Sequence, residues 1–339
     1  MLRILHGTNI DFIRLWRVAA GFAGLFMIPG LLLAVVMGFK SSVEFTGGTF
    51  MQITFKDSIQ IESLRSALEQ GGVVGAEPQQ FGSAREYVVR VQNPEAVAEQ
   101  EVGAERVAAQ IRASLDTKFG AGSYIVDRTE LVGPRVGGEL RRQAAVAMLI
   151  AFGLTLIYLA WRFEWRFSVA AVLATLHDFL ATLAFIKYMN LEISLFVVGA
   201  ILTVIGYSMN DKVVVFDRVR ENLHLTRKEP LYNLLNRSVN ETLPRTVMTG
   251  STTLACLLAL LVFGGDVIRP FAWVLTFGIV IGTFSSIYIG SPLLLYIEQK
   301  YPRADVAARV GGLPGTMPAP AARPSRQQGS RPHASGPAR

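Results

Sequence analysis

The sequence predicts an α-helical polytopic membrane protein of six transmembrane helices, with a ferredoxin-like α+β domain between spans one and two. Composition, six apolar runs and one patterned polar stretch carry that reading. Of 339 residues, 51% are hydrophobic and 17% charged, and the mean hydropathy of +0.36 is too high for one soluble domain. The longest polar stretch, residues 40–139, alternates strand-like and helix-like patterns, so it reads as a folded domain rather than a linker.

Residues 1–17, with Arg3, Arg14 and Arg17, read as a cytoplasmic N-terminus ahead of span one, residues 18–39. This run exceeds a signal-peptide core and no clear small-residue cleavage site follows, so it is expected to remain as a span kinked near Pro29. In the domain, Thr49 to Phe55 is rich in β-formers, and Ser58 is the expected N-cap of a helix over Ile59 to Gln70, stopped by Gly71 and Gly72. Strands over Val73 to Phe81 and Glu86 to Gln92 follow. A second helix from Pro94 or Glu95 to about Lys118 and a strand over Tyr124 to Leu131 complete the order βαββαβ.

Residues 140–300 form a five-span bundle, with apolar runs at about 144–160, 168–188, 193–216, 246–263 and 271–297. Six spans put both termini on one side. Arg162 and Arg166, then Arg218, Arg220, Arg227, Lys228 and Arg237, then Lys300, Arg303 and Arg309 fall on the face of the termini, while the opposite short loops offer little beyond Lys187 and Arg269. By the positive-inside rule both termini are cytoplasmic and residues 40–139 lie outside. The net charge of +7 and pI near 9.7 therefore reflect topology, and no nucleic-acid partner is expected. After Pro230, Leu231, Leu234, Leu235 and Val239 recur at helical spacing, fitting either a helix lying on the membrane surface or a connector packed on the bundle. Residues 301–339, rich in Pro, Gly, Ala, Ser and Arg, read as a disordered cytoplasmic tail.

Asp211 stands out because it lies in an apolar run with Asn210 beside it. A carboxylate at a membrane helix centre costs about 2.5 to 3.5 kcal/mol, so such residues face a bundle interior and serve ion or proton paths. Its place late in the span also fits an aspartate that marks a helix end. The adjacent Lys212 points about 100° away on a helix and need not be its partner. Arg245, after Pro244, is either a counter-charge at similar depth or an anchor that snorkels to lipid phosphates. His177 and Asp178, mid-span, read as a proton relay or as a structural hydrogen-bonded pair. Gly250, Ser251, Thr252, Thr253, Gly278, Gly282, Ser285, Ser286 and Gly290 read as close helix packing without chemistry. One cysteine, Cys256, and four scattered histidines offer no disulfide framework or metal cluster, and no nucleophile or phosphate-binding pattern appears; neither an enzyme nor a cofactor is expected.

At the level of ordered motifs the chain resembles the SecF family of bacterial protein export. The resemblance rests on Gly206-Tyr207-Ser208-Met209-Asn210-Asp211, continued by Val213-Val214-Val215-Phe216-Asp217-Arg218-Val219-Arg220-Glu221-Asn222. It also rests on Phe45-Thr46-Gly47-Gly48, Val132-Gly133-Pro134, Arg245-Thr246 with Thr249, and Phe263-Gly264-Gly265, and covers about residues 14–300. Glu44 stands where the family usually has Asp, and Lys212 where a small hydroxyl residue is commoner. The resemblance implies a bundle of the resistance-nodulation-division type in the bacterial inner membrane. It implies a complex with SecD that uses the proton-motive force to help draw preproteins through SecYEG at the periplasmic side, with YajC and YidC as further partners. Asp211 and Arg245 match the family's proton-pathway carboxylate and arginine, and a SecD carboxylate absent from this chain would complete the route. Two rival readings are a small-molecule proton antiporter of the same superfamily and a non-conducting scaffold of the translocon.

Overall fold

The computed structural model describes residues 8–91, 102–132, 134–226 and 229–301. Among these residues it is mostly helical, with six helices long and apolar enough to cross a membrane. After a 3-10 turn at Ile13–Leu15 come α1 (Trp16–Met37) and the short α2 (Val43–Thr46). The membrane helices continue as α5 (Pro134–Arg162), α6 (Trp165–Tyr188), α7 (Leu195–Leu225) and α8 (Leu231–Phe263). The sixth span is α9 (Gly265–Ser285), a π turn (Ser286–Gly290) and α10 (Ser291–Lys300). Of the most apolar stretch of each helix, 56% is buried in α7 and 6% in the span formed by α5, so α7 is central and α5 peripheral.

Pro29 lies inside the continuous α1. Proline removes a ladder hydrogen bond, and in apolar surroundings freed backbone groups must find partners on neighbouring helices. The carbonyl that Pro29 leaves without its helical donor is that of Leu25; the adjacent Phe26 carbonyl accepts from the Tyr188 hydroxyl of α6 at 2.8 Å, tying the two helices together in this turn. Gly30 lets the two helices approach, because a Cβ there would meet Ala184 and Tyr188 at 2.6 and 2.8 Å.

Between α1 and α5 the chain forms β1 (Gly48–Phe55), α3 (Ile61–Gln70), β2 (Ala76–Gln80), β3 (Glu86–Val91), α4 (Val102–Phe119) and β4 (Tyr124–Val132). The strands pair antiparallel in the order β2-β3-β1-β4. Met51, Ile53 and Phe55 alternate inward on β1 and pack with Leu64, Leu68, Ile111 and Leu115 from the two helices, the period-2 and helical stripes that a two-layer core requires. Ser58 is not the N-cap: α3 starts at Ile61 after Gln60, with no side-chain cap bond. Val73 is not in a strand either. It is buried ahead of β2 in the helical core, its N–H held by the Leu68 carbonyl at 3.0 Å. Expectations for Gln92, for Pro94 or Glu95, for Gly133, for Arg227 and Lys228, and for the tail beyond 301 fall outside the described residues.

Leu231, Leu234, Leu235 and Val239 do not lie on a separate surface helix. They are buried against Val215, Phe216, Val219 and Leu223 of α7, on a helix that continues through Pro244 into the fifth span. The connector reading is the one that holds, because the stripe finds apolar partners within the bundle.

Candidate functional site

The site is built where α7 meets α6 and α9. Ser194 caps α7, its hydroxyl accepting from Val197 N at 3.3 Å. Close approach of α9 then follows from its small residues: a Cβ on Gly278 would come within 2.1 Å of Val204, and one on Gly282 within 3.1 Å of Ser208. The same register brings Thr283 and Ser285 of α9 to the polar turn of α7.

Asp211 is buried, 2% exposed, and accepts from the Thr283 hydroxyl at 3.2 Å. The charges of Lys212 and Arg245 reach it, but among the described residues no cation forms an ion pair with it. Lys212, one residue on, turns instead toward α6. Its ammonium donates to Asp178 Oδ2 of α6 at 2.6 Å, and the two side chains are 0% and 1% exposed. It also donates to the Ser208 carbonyl at 3.3 Å and to the Ser208 hydroxyl. Asp178 Oδ2 accepts further from Ser208 and, at 2.7 Å, from the Ser285 hydroxyl. His177 Nδ1 stands 3.0 Å from Asp178 Oδ1, while its Nε2 is buried without a partner.

The two carboxylates, on packed helices α6 and α7, therefore have different surroundings. Asp178 is neutralised by a contact cation and held by donors from three helices, the condition under which a buried charge is tolerated. Asp211 has one neutral hydroxyl. A proton gained or lost there changes the net charge of the buried site, whereas Asp178 and Lys212 together contribute none.

Arg245 is exposed on α8, and Asn210 is exposed on α7. The structure thus brings Asp211 and Thr283 together but leaves Arg245 and Asn210 on an open face of this chain. Gly206 lies on an open face too, since a Cβ there would meet nothing within 4 Å. Tyr207 is half-buried, its hydroxyl buried without a partner. Farther along α7 the motif ties helix ends together: Asp217 pairs with Arg162 of α5 at 2.7 Å, and Arg218 with Glu241 of α8 at 2.7 Å.

The Phe45-Thr46-Gly47-Gly48 stretch forms the joint between the small domain and the bundle. Gly47 and Gly48 have φ of 76° and 133°, values that favour glycine, and a Cβ on Gly137 of α5 would approach Gly47 N to 2.9 Å. Phe45 is buried, and Thr46 donates to the Ser42 carbonyl at 3.2 Å. Glu44 beside them accepts from Leu195 N at 2.6 Å, placing a carboxylate at the N-terminus of the helix that carries Asp211. Arg90 of β3 adds an ion pair to Glu192, just before α7.

Thr283 and Ser285 escaped the sequence reading, one not singled out and the other taken as packing. Their signal was present as hydroxyls at membrane depth, but it is shared by every small-residue helix contact. Among the described residues no cluster of His, Cys, Asp and Glu has the form of a metal site.

Comparison with known proteins agrees with this architecture. A family model described as protein export membrane protein SecD/SecF, C-terminal, matches residues 112–300. The protein translocase subunit SecF of Gemmatimonas aurantiaca is 56% identical over 310 residues, covering 91% of this chain and 93% of that one. The SecF of Escherichia coli O157:H7 is 37% identical, covering 87% and 90%. A crystal structure of SecDF from Thermus thermophilus, titled a translocon-associated membrane protein, aligns with a TM-score of 0.77 at 36% identity. The match covers 87% of this chain and 39% of that longer one.

Proposed function

The chain belongs to the SecF family of protein translocase subunits, multi-pass membrane proteins of bacteria, and on that premise we propose that it couples proton movement to protein export. SecD is the partner, a reading supported by relatives in which both halves share one chain. SecYEG, with YajC and YidC, is the wider setting, and the translocating preprotein is the cargo. Both termini face the cytoplasm of an inner membrane, and the small domain, read as a ferredoxin-like split sandwich from its sheet order, faces the periplasm.

One observation carries the proton role: among the described residues Asp211 is buried with a single hydroxyl donor while the neighbouring lysine is committed to Asp178. Protonation removes a buried charge and its attraction to Arg245, and α7 repacks against α8 and α9. Movement of α7 reaches the outer domain through the Glu44 contact to Leu195 and the Arg90 pair with Glu192. One charge crossing 100 mV supplies about 2.3 kcal/mol, enough to bias such a two-state element. The exposed Arg245 and Asn210 fit a face that SecD completes.

Asp211→Asn, co-expressed with SecD, tests this. The reading expects proton-dependent export to be lost while SecD still co-purifies; export that keeps its proton dependence would leave the chain a scaffold.

A further inference from the structure

A groove of about 800 Å3 lies away from the aspartates, at the end of the bundle where α1 begins and α10 finishes. Its wall and floor are apolar and aromatic, from Tyr288, Pro292, Leu293 and Tyr296, and its rim carries Arg14 and Arg17. Both arginines are exposed, and among the described residues neither forms an ion pair. The nearby acid, Asp11, is already engaged: it accepts the Arg14 N–H at 3.2 Å and the Tyr232 hydroxyl at 2.6 Å. Two cations therefore stand over an apolar slot, with no acid ion-paired to either among the described residues.

We propose that this groove binds one anionic phospholipid, its phosphate between Arg14 and Arg17 and an acyl chain along α10. Guanidinium groups match phosphate oxygens, and basic grooves between membrane helices at the cytoplasmic level suit anionic headgroups. Trp16 and Tyr232 at the rim have the amphipathic form found at headgroup depth. By composition this chain's own flanks are poor sources of the missing anion, since residues 302–339 carry six arginines and one aspartate, and residues 1–7 carry Arg3 and no acid. The orientation assigned to the bundle places the groove at the inner leaflet; binding itself does not depend on Asp211.

The test uses the full chain with SecD in nanodiscs of zwitterionic lipid, titrated with phosphatidylglycerol and read by native mass spectrometry. Retention of one phosphatidylglycerol is expected, with no matching retention of added phosphatidylcholine. Each arginine near a membrane surface contributes about 1 kcal/mol, a factor of about five, so Arg14→Gln with Arg17→Gln should weaken retention about thirty-fold. Ala20→Trp, which fills the groove and leaves both arginines, should also reduce retention. Equal retention of the two lipids, or binding unchanged in both variants, overturns the proposal. So does a cross-link from Leu293 to a protein segment in place of lipid.

Discussion

The ammonium of Lys212 lies 2.6 Å from Asp178 Oδ2, although Lys212 is the chain neighbour of Asp211. Adjacent residues on a helix point about 100° apart, so one turn of α7 serves two sites: Lys212 faces α6 and Asp211 faces Thr283 of α9. The cation that sequence places beside Asp211 is spent in neutralising another carboxylate.

Breaking that pair on one side should be worse than removing it. Asp178→Asn leaves a fully buried lysine uncompensated and should cost about 3 to 5 kcal/mol, whereas Asp178→Asn with Lys212→Met should recover most of it. Thermal unfolding of the detergent-purified complex reads the difference. The double variant should keep proton-dependent export; losing it with stability restored would make Asp178 part of the proton path.

Gly278 should not tolerate a methyl group. Gly278→Ala puts a Cβ within 2.1 Å of Val204, and overpacking of this kind costs about 1 to 3 kcal/mol. Adding Val204→Ala should restore stability. Export activity should follow the same pattern, because the α7–α9 separation sets the Thr283 contact to Asp211.

Glu44 is expected to act through its oxygen more than its charge. Glu44→Ala removes the acceptor for Leu195 N and should cost about 1 kcal/mol, as the loss of a helix cap does. Glu44→Gln keeps an acceptor and should be nearly neutral. Hydrogen exchange at the start of α7 distinguishes them, with faster exchange in the alanine variant alone.

Glu130 should make the stability of the domain depend on pH. Burial pushes its carboxyl above the ordinary range, partly opposed by Arg128 and reinforced by Glu44. A group whose folded-state pKa is raised stabilises the fold below its unfolded pKa, and that contribution is lost as pH rises through the folded value. Stability should therefore fall across the upper carboxylate range, and Glu130→Gln should flatten that fall in melts taken from pH 4 to 7.

The spans were legible because hydropathy over some twenty residues is a local property, and so was Asp211, whose apolar setting lies in its own segment. The element order of the small domain was legible for the same reason, through period-2 and helical stripes. Pairings across the bundle were not. Lys212 meets Asp178, and Thr283 meets Asp211, only through the packing of α6, α7 and α9, and nothing local to Lys212 distinguishes a buried partner from a snorkelling one. The continuity of α8 through Pro244 was likewise not legible, because the buried stripe of Leu231, Leu234, Leu235 and Val239 is met only by residues of α7.

In the proposed function Asp211 exchanges the proton and Asp178 does not. The direct measurement is proton flux in vesicles carrying this chain with SecD and SecYEG under an imposed gradient. Wild type, Asp211→Asn and the Asp178→Asn, Lys212→Met double variant would be compared at equal complex content. Flux abolished in the first variant and retained in the double variant is the predicted result; flux retained in Asp211→Asn would contradict it.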